Sequence, residues 1–99
     1  MDPQVNIPSA KTLSQAAKLS ITISKPICFY FYLESCKDNI KICANDSDKI
    51  IFKSMDEHTS SISNIYKVEN EYLIVTENTI YIISSNTKVA KMPEELSYN

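Results

Sequence analysis

The sequence contains no glycine, no tryptophan and no arginine. Without glycine, the chain cannot form the glycine-rich loops with which P-loop and dinucleotide-binding proteins hold phosphate groups. Without arginine, it has no planar group for bidentate contacts with phosphate or guanine. The 10 basic residues are all lysines, they are spread along the chain, and the net charge is −2. No basic segment therefore indicates nucleic-acid binding.

Histidine is present once, as His58 in the segment "MDEHTSS". Asp56 and Glu57 precede it and serines follow it, so the residue types of a hydrolase triad are all present. Triad members normally converge from separated parts of the chain, because neighbours in one loop cannot face one another. The segment is therefore predicted to be a solvated loop, and the sequence predicts no enzyme and no catalytic residues.

Cysteine is present three times, as Cys28, Cys36 and Cys43. Their spacing matches no usual zinc pattern, so the sequence predicts no metal site, no cofactor and three free thiols. The first ten residues lack the apolar core of a signal peptide, and no apolar run approaches the roughly 18 residues of a membrane span. These absences predict a reduced, cytosolic protein without a membrane partner.

The 99 residues are enough for one small domain. Residues 1–8 contain two prolines and are predicted to form a flexible N-terminal arm. Residues 9–90 are predicted to form a single β-rich domain. The hydrophobic pattern is lost at Pro93, so residues 91–99 are predicted to be a flexible C-terminal tail.

One short helix is predicted near the N-terminus. Ser9 can cap it, and Leu13, Ala16 and Ala17 share one face at helical spacing. The segment "LSITIS" (19–24) alternates apolar and polar residues and predicts a strand, which competes with the end of the helix.

The rest of the chain consists mostly of predicted strands. "ICFYFYLES" (27–35) is the strongest, with Ile27, Phe29, Phe31 and Leu33 on one face. Further strands are predicted in "NIKIC", "KIIFKS", "ISNIYKVE", "EYLIVT" and "TIYIISS". These segments favour a mainly β fold, a small antiparallel barrel or sandwich of about six strands with one short N-terminal helix.

A tight turn is predicted between "EYLIVT" and "TIYIISS", where Glu77 and Asn78 separate the two strands. Two-residue hairpin loops need positive φ and usually contain glycine. Asparagine tolerates the left-handed region best among the other residues. The sequence therefore predicts that Asn78 makes this turn with a positive φ.

Four tyrosines form the candidate interface: Tyr30, Tyr32, Tyr72 and Tyr81. They lie on strands that are apolar on both faces, which is typical either of burial on both sides or of a partner-binding surface. One short helix cannot cover three such strands. The regular alternation of Tyr30 and Tyr32 with phenylalanine therefore predicts a homodimer that pairs through these two residues.

Three motifs suggest a resemblance: Lys25-Pro26-Ile27, the loop from Lys53 to Ser60, and the hairpin from Thr76 to Tyr81. With them, the segment 25–85 resembles a family of small uncharacterised proteins of nucleocytoplasmic large DNA viruses, the giant viruses. His58 stands where these proteins usually have tyrosine, and "CFYFY" lacks their typical acidic residue. The abundance of amino acids with AT-rich codons agrees with an AT-rich viral genome.

The resemblance implies a viral protein but supplies no assigned activity. Together with the composition, it predicts a non-enzymatic protein–protein interaction or structural module, present in the virion or in the viral factory of the host-cell cytoplasm. The expected partner is a protein, including a second copy of this chain. The alternative is a nucleic-acid-associated accessory factor of viral transcription or packaging.

Overall fold

The computed structural model describes residues 7–97. The helices in this part of the chain are α1 (Ala10–Ile23), α2 (Tyr32–Cys36) and α3 (Glu94–Ser97). The strands are β1 (Ile27–Cys28), β2 (Lys41–Ala44), β3 (Lys49–Ser54), β4 (Glu57–His58), β5 (Ile62–Val68), β6 (Glu71–Thr76), β7 (Ile80–Ser84) and β8 (Lys88–Lys91). None of the described helices has both the length and the apolar character needed to cross a membrane.

The strands form two four-stranded sheets. The first sheet has the order β1-β7-β6-β5 and the second has the order β4-β3-β2-β8. The predicted mainly β class with a helix near the N-terminus is therefore confirmed. The finer prediction needs correction: the sheets do not close into a barrel, and they are not fully antiparallel, because β1 pairs with β7 and β8 pairs with β2 in parallel.

Helix α1 covers the outer face of the first sheet. The hydroxyl of Ser9 accepts a hydrogen bond from the backbone N–H of Thr12 (3.1 Å) and caps the helix, as its sequence position predicted. Ala16 packs with Leu73 of β6 and Ile82 of β7 in one buried cluster. The small side chain of alanine allows helix and sheet to approach closely.

The predicted strand at 19–24 is wrong, because α1 continues to Ile23. Leu19 lies one helical turn after Ala16 and packs against the same cluster, whereas Ile21 is exposed. The helix ends at Ser24, which is left-handed (φ 56°), and its backbone N–H bonds to the carbonyl of Ser20. Packing on the sheet therefore overrides the local alternation.

The predicted strand over "ICFYFYLES" is also wrong after its first two residues. β1 ends at Cys28, the N–H of Tyr32 bonds to the carbonyl of Phe29 (3.0 Å), and α2 follows. This turn lets two neighbouring rings enter different clusters, since Phe31 lies between the sheets and Tyr32 lies under α1. The hydroxyl of Ser35 accepts from the N–H of Ser84 (2.8 Å) and ties α2 to β7.

An apolar cluster joins the two sheets. Its buried members are Phe31, Ile40, Ile42, Ile51, Ile74 and Ile83. On the far side of the second sheet, Met92 is buried with Cys43 and Ile50, and Leu96 of α3 packs against them. The structure thus has four layers, in the order α1, first sheet, second sheet and α3.

The packing of the described residues continues past residue 90, where the predicted β-rich domain ends. The boundary at residue 90 lies inside β8, and the following residues include the buried Met92. Packing therefore extends at least to Leu96. Of the predicted N-terminal arm, residues 1–6 lie outside the described residues, and Pro8 is buried.

The turns form without glycine, but the residues with positive φ are not the one that the sequence predicted. Asn78 does lie in the turn between β6 and β7, yet its φ is not positive, so that part of the prediction is wrong. The N–H of Thr76 bonds to the carbonyl of Thr79 (2.9 Å), and the ammonium of Lys25 bonds to the carbonyl of Thr76 (2.7 Å), which together hold the turn. The left-handed residues in the described chain are Ser24, Asp38 and Glu69.

Candidate interaction surface

The connection between β1 and α2 exposes three large apolar side chains. Phe29, Tyr30 and Leu33 are 48%, 54% and 49% exposed. We call these three residues the α2 patch. The turn at residues 29–32 and the short helix turn them outward, whereas the adjacent Phe31 and Tyr32 are buried. The sequence predicted that Phe29, Phe31 and Leu33 share one face of a strand, but Phe29 and Leu33 are exposed and Phe31 is buried.

Two buried rings hold the α2 patch in place. The ring of Phe31 lies 4.9 Å from that of Tyr30 in an edge-to-face arrangement and 5.5 Å from that of Tyr81. Edge-to-face rings attract each other beyond simple area burial. On the other side, Tyr32 belongs to the cluster under α1. The backbone beneath the patch is therefore fixed by the core.

Charged side chains surround Tyr30. Its hydroxyl donates a hydrogen bond to the carboxylate of Glu57. The ammonium of Lys53 lies 3.4 Å from Glu57 and 3.8 Å from Glu34, and 5.8 Å from the centre of the Tyr30 ring. Asn39 in turn donates to Glu34 (3.0 Å). This network orients the ring of Tyr30 although the ring is exposed.

The same contacts change the acid–base properties of the network. The hydrogen bond to Glu57 raises the pKa of the Tyr30 hydroxyl and lowers the pKa of the Glu57 carboxyl. The bond to Glu57 also raises the pKa of Lys53. At neutral pH the phenol thus stays protonated, Glu57 stays ionised and Lys53 stays charged. A protonated phenol is a hydrogen-bond donor and a poor nucleophile.

The four predicted interface tyrosines do not share one surface. Tyr30 is exposed, but Tyr32 is 6% exposed, so they cannot form the predicted common dimer face. Tyr72 and Tyr81 are half-buried against the cluster between the sheets. Burial raises the pKa of both Tyr32 and Tyr81. Of the four, Tyr30 is the one available to a partner.

The segment around His58 is not arranged as a catalytic triad. The ring of His58 stacks on Phe52, and its Nδ1 lies 3.2 Å from the carbonyl of the adjacent Thr59. The hydroxyl of Ser61 donates directly to Asp48 (3.0 Å). Among the described residues, no group of histidine, cysteine and carboxylate side chains is placed to hold a metal ion.

The sequence reasoning missed Glu34, Lys53 and Glu57, which come from α2, β3 and β4. Lys53 and Glu57 are four positions apart in the chain. Glu34 is 19 positions before Lys53 and meets both residues only because β3 and β4 pair beside α2. One local signal was present: "YLESC" has a helix-favouring Leu-Glu pair after a run of aromatic residues. This pair favours a helix and is not typical of a strand that continues to residue 35.

Comparison of the chain with protein families, with curated proteins and with solved structures found no match.

Proposed function

We propose that this protein is a non-enzymatic protein–protein interaction module whose binding surface is the α2 patch. The observation that supports this most directly is the fixed orientation of an exposed aromatic ring, that of Tyr30, in a segment that also exposes Phe29 and Leu33. Tyrosine and phenylalanine are enriched in protein interfaces. A ring that is already oriented loses little conformational entropy on binding.

The charges around the patch indicate what the partner offers. Two carboxylates, Glu34 and Glu57, share one ammonium, that of Lys53, so the rim has one negative charge in excess. A complementary partner presents an apolar pocket for Tyr30 with a lysine or arginine beside it. Rim charges of this kind contribute to specificity and association rate more than to affinity.

The cellular setting that we propose is viral. The motifs in residues 25–85 and the amino-acid composition support a protein of a large DNA virus. In that setting the module is a component of the virion or of the viral factory in the host cytoplasm. A small domain with a preorganised apolar patch suits a role in holding larger viral proteins together.

A capture experiment tests this function. The tagged chain is incubated with an extract of infected cells, and bound proteins are identified by mass spectrometry after cross-linking. The double substitution Tyr30→Ser and Leu33→Ser is expected to lose a partner that the unmodified chain retains. Ile21→Ser, on the exposed face of α1, is the matched control and is expected to retain it.

Two outcomes contradict the proposal. The first is that the same proteins bind to the unmodified chain, the double variant and the control. The second is retention on DNA or RNA at physiological salt, which would favour the nucleic-acid alternative.

A further inference from the structure

The longest strand in the described chain is an edge strand. β5 has seven residues and pairs with β6, and none of the described strands pairs with its other edge. At about 3.4 Å per residue this edge is roughly 24 Å long. The other edge strands are shorter, with two residues in β1, two in β4 and four in β8. Short edges resist pairing with other chains, whereas a long one is a template for it.

β5 has few of the features that normally protect an edge. It contains no proline and no acidic residue, and its one charged side chain is Lys67. A bulge interrupts the ladder between Ile62 and Asn64. From Asn64 to Val68 the pairing with β6 is regular, so alternate residues of that stretch direct their N–H and C=O groups to the outer edge. At its end, the carbonyl of Val68 accepts a hydrogen bond from the hydroxyl of Thr12 (3.2 Å).

An apolar cleft of about 380 Å³ lies beside this edge, between β5 and α1. It is lined by Gln15, Leu19, Tyr66, Lys67, Val68 and Leu73. Tyr66 pairs with Leu73 across the strands and is 45% exposed. A chain that adds to β5 as a further strand would therefore also cover apolar surface on the α1 side.

We infer that the occupant is a second copy of this chain, paired antiparallel through β5 across a two-fold axis. The resulting dimer has one continuous eight-stranded sheet, with both α1 helices on the same face. Two-fold pairing is the commonest symmetry of homo-oligomers. This surface is distinct from the α2 patch, so the inference is independent of the function proposed above.

The charge pattern of β5 is compatible with pairing to itself. Two antiparallel registers are considered. If the two-fold axis passes beside Ile65, Lys67 lies opposite Ser63 of the second copy. If the axis passes beside Tyr66, Lys67 lies opposite Ile65 of the second copy. Neither register brings like charges together, which would destabilise a cross-strand pair. The net charge of −2 per chain adds little repulsion. In both registers the two Tyr66 side chains lie close to the axis, next to the two clefts.

Sedimentation equilibrium of the full chain tests the inference. Between ~5 and ~300 micromolar, a range suited to a small interface, the unmodified chain is expected to pass from monomer to dimer. Tyr66→Lys adds like charges near the axis and is expected to raise the dissociation constant at least about tenfold. Val89→Lys is the matched control, because Val89 is 69% exposed on the short edge strand β8, and it is expected to leave the constant unchanged.

Hydrogen exchange gives a second test that needs no substitution. Backbone amides in residues 64–68 are expected to exchange more slowly at the higher protein concentration, while those of β1 do not change. The inference is overturned if the chain is a monomer at ~300 micromolar. It is also overturned if Tyr66→Lys dimerises like the unmodified chain, or if the concentration-dependent protection lies in α2 and not in β5.

Discussion

The hydroxyl of Thr12 lies 2.6 Å from Oε1 of Glu71, although the two residues are 59 positions apart in the chain. The same carboxylate oxygen accepts the backbone N–H of Ser9 (3.3 Å). Thr12 and Glu71 are both buried, so the hydrogen bond between them is shielded from water. Glu71 thus caps the N-terminus of α1 from the start of β6, where a negative charge is favoured by the helix dipole.

The first prediction concerns this cap. Glu71→Ala removes the acceptor and leaves the buried hydroxyl of Thr12 and the N–H of Ser9 with fewer partners. The free energy of unfolding is expected to fall by about 1–3 kcal/mol, measured by urea denaturation. Glu77→Ala, in the exposed turn after β6, is the control and is expected to change it by less than about 0.5 kcal/mol. Equal effects of the two substitutions would show that the buried contact contributes nothing.

The second prediction concerns turns without glycine. Glu69 has a φ of 53°, so Glu69→Gly relieves a left-handed conformation and is expected to stabilise by up to about 1 kcal/mol. Asn78 does not have a positive φ, so Asn78→Gly only increases the freedom of the unfolded chain. It is expected to destabilise by about 0.5–1 kcal/mol. Thermal unfolding of both variants measures these changes in stability. If Asn78→Gly stabilises the protein and Glu69→Gly is neutral, then Asn78 and not Glu69 is the residue with a positive φ.

The third prediction concerns pH. Because the pKa of Glu57 is lowered in the folded state, the stability that it contributes is present above the unfolded carboxyl pKa and is lost as pH falls through the folded value. For Tyr30 the pKa is raised, so its contribution is present below the unfolded pKa and is lost as pH rises through the folded value.

Tyr30→Phe removes the shared hydrogen bond and is expected to return the pKa of Glu57 towards its ordinary value. Carbon NMR of the Glu57 carboxyl during acid titration measures this. Tyr66→Phe is the control, because no hydrogen bond joins its hydroxyl to this network. An unchanged Glu57 titration in Tyr30→Phe would show that Lys53 alone accounts for the lowered pKa.

The fourth prediction concerns the thiols. Cys36 is exposed, Cys28 is half-buried and Cys43 is buried, and all three are free. Burial also raises the pKa of Cys43, which reduces its thiolate fraction. Cys36 is therefore expected to react first with a thiol reagent under native conditions, and Cys43 only after unfolding. Mass spectrometry of the modified peptides gives the order, and early modification of Cys43 would contradict the packing described.

The sequence predicted most reliably where the local pattern and the tertiary packing agree. The apolar segments around Ile51 and Ile74 were predicted as strands, and they form β3 and β6, with both isoleucines buried between the sheets. The N-cap at Ser9 was also predicted correctly, because capping depends on neighbouring residues in the chain.

The sequence misled where two local patterns fit the same residues. Leu19 matched both the helix and the alternating strand, and the cluster under α1 selected the helix. The run from Phe29 to Tyr32 was predicted as a strand. Instead, Phe31 packs in the cluster on one side of the first sheet and Tyr32 packs in the cluster on the other side. A prediction from the pattern could not include these partners, since they come from other helices and strands, such as Ala16 before the run and Leu73 and Ile83 far after it.

By itself, the sequence determined the mainly β class, the short N-terminal helix and the lack of glycine-rich phosphate loops, because these follow from composition and from periodicity over a few residues. The tertiary structure alone decided which tyrosines are exposed, which residues surround Tyr30 and which of the described strands lie at the sheet edges. Those properties depend on contacts such as that of Glu57 with Tyr30, formed between segments whose pairing depends on the packing of the whole domain.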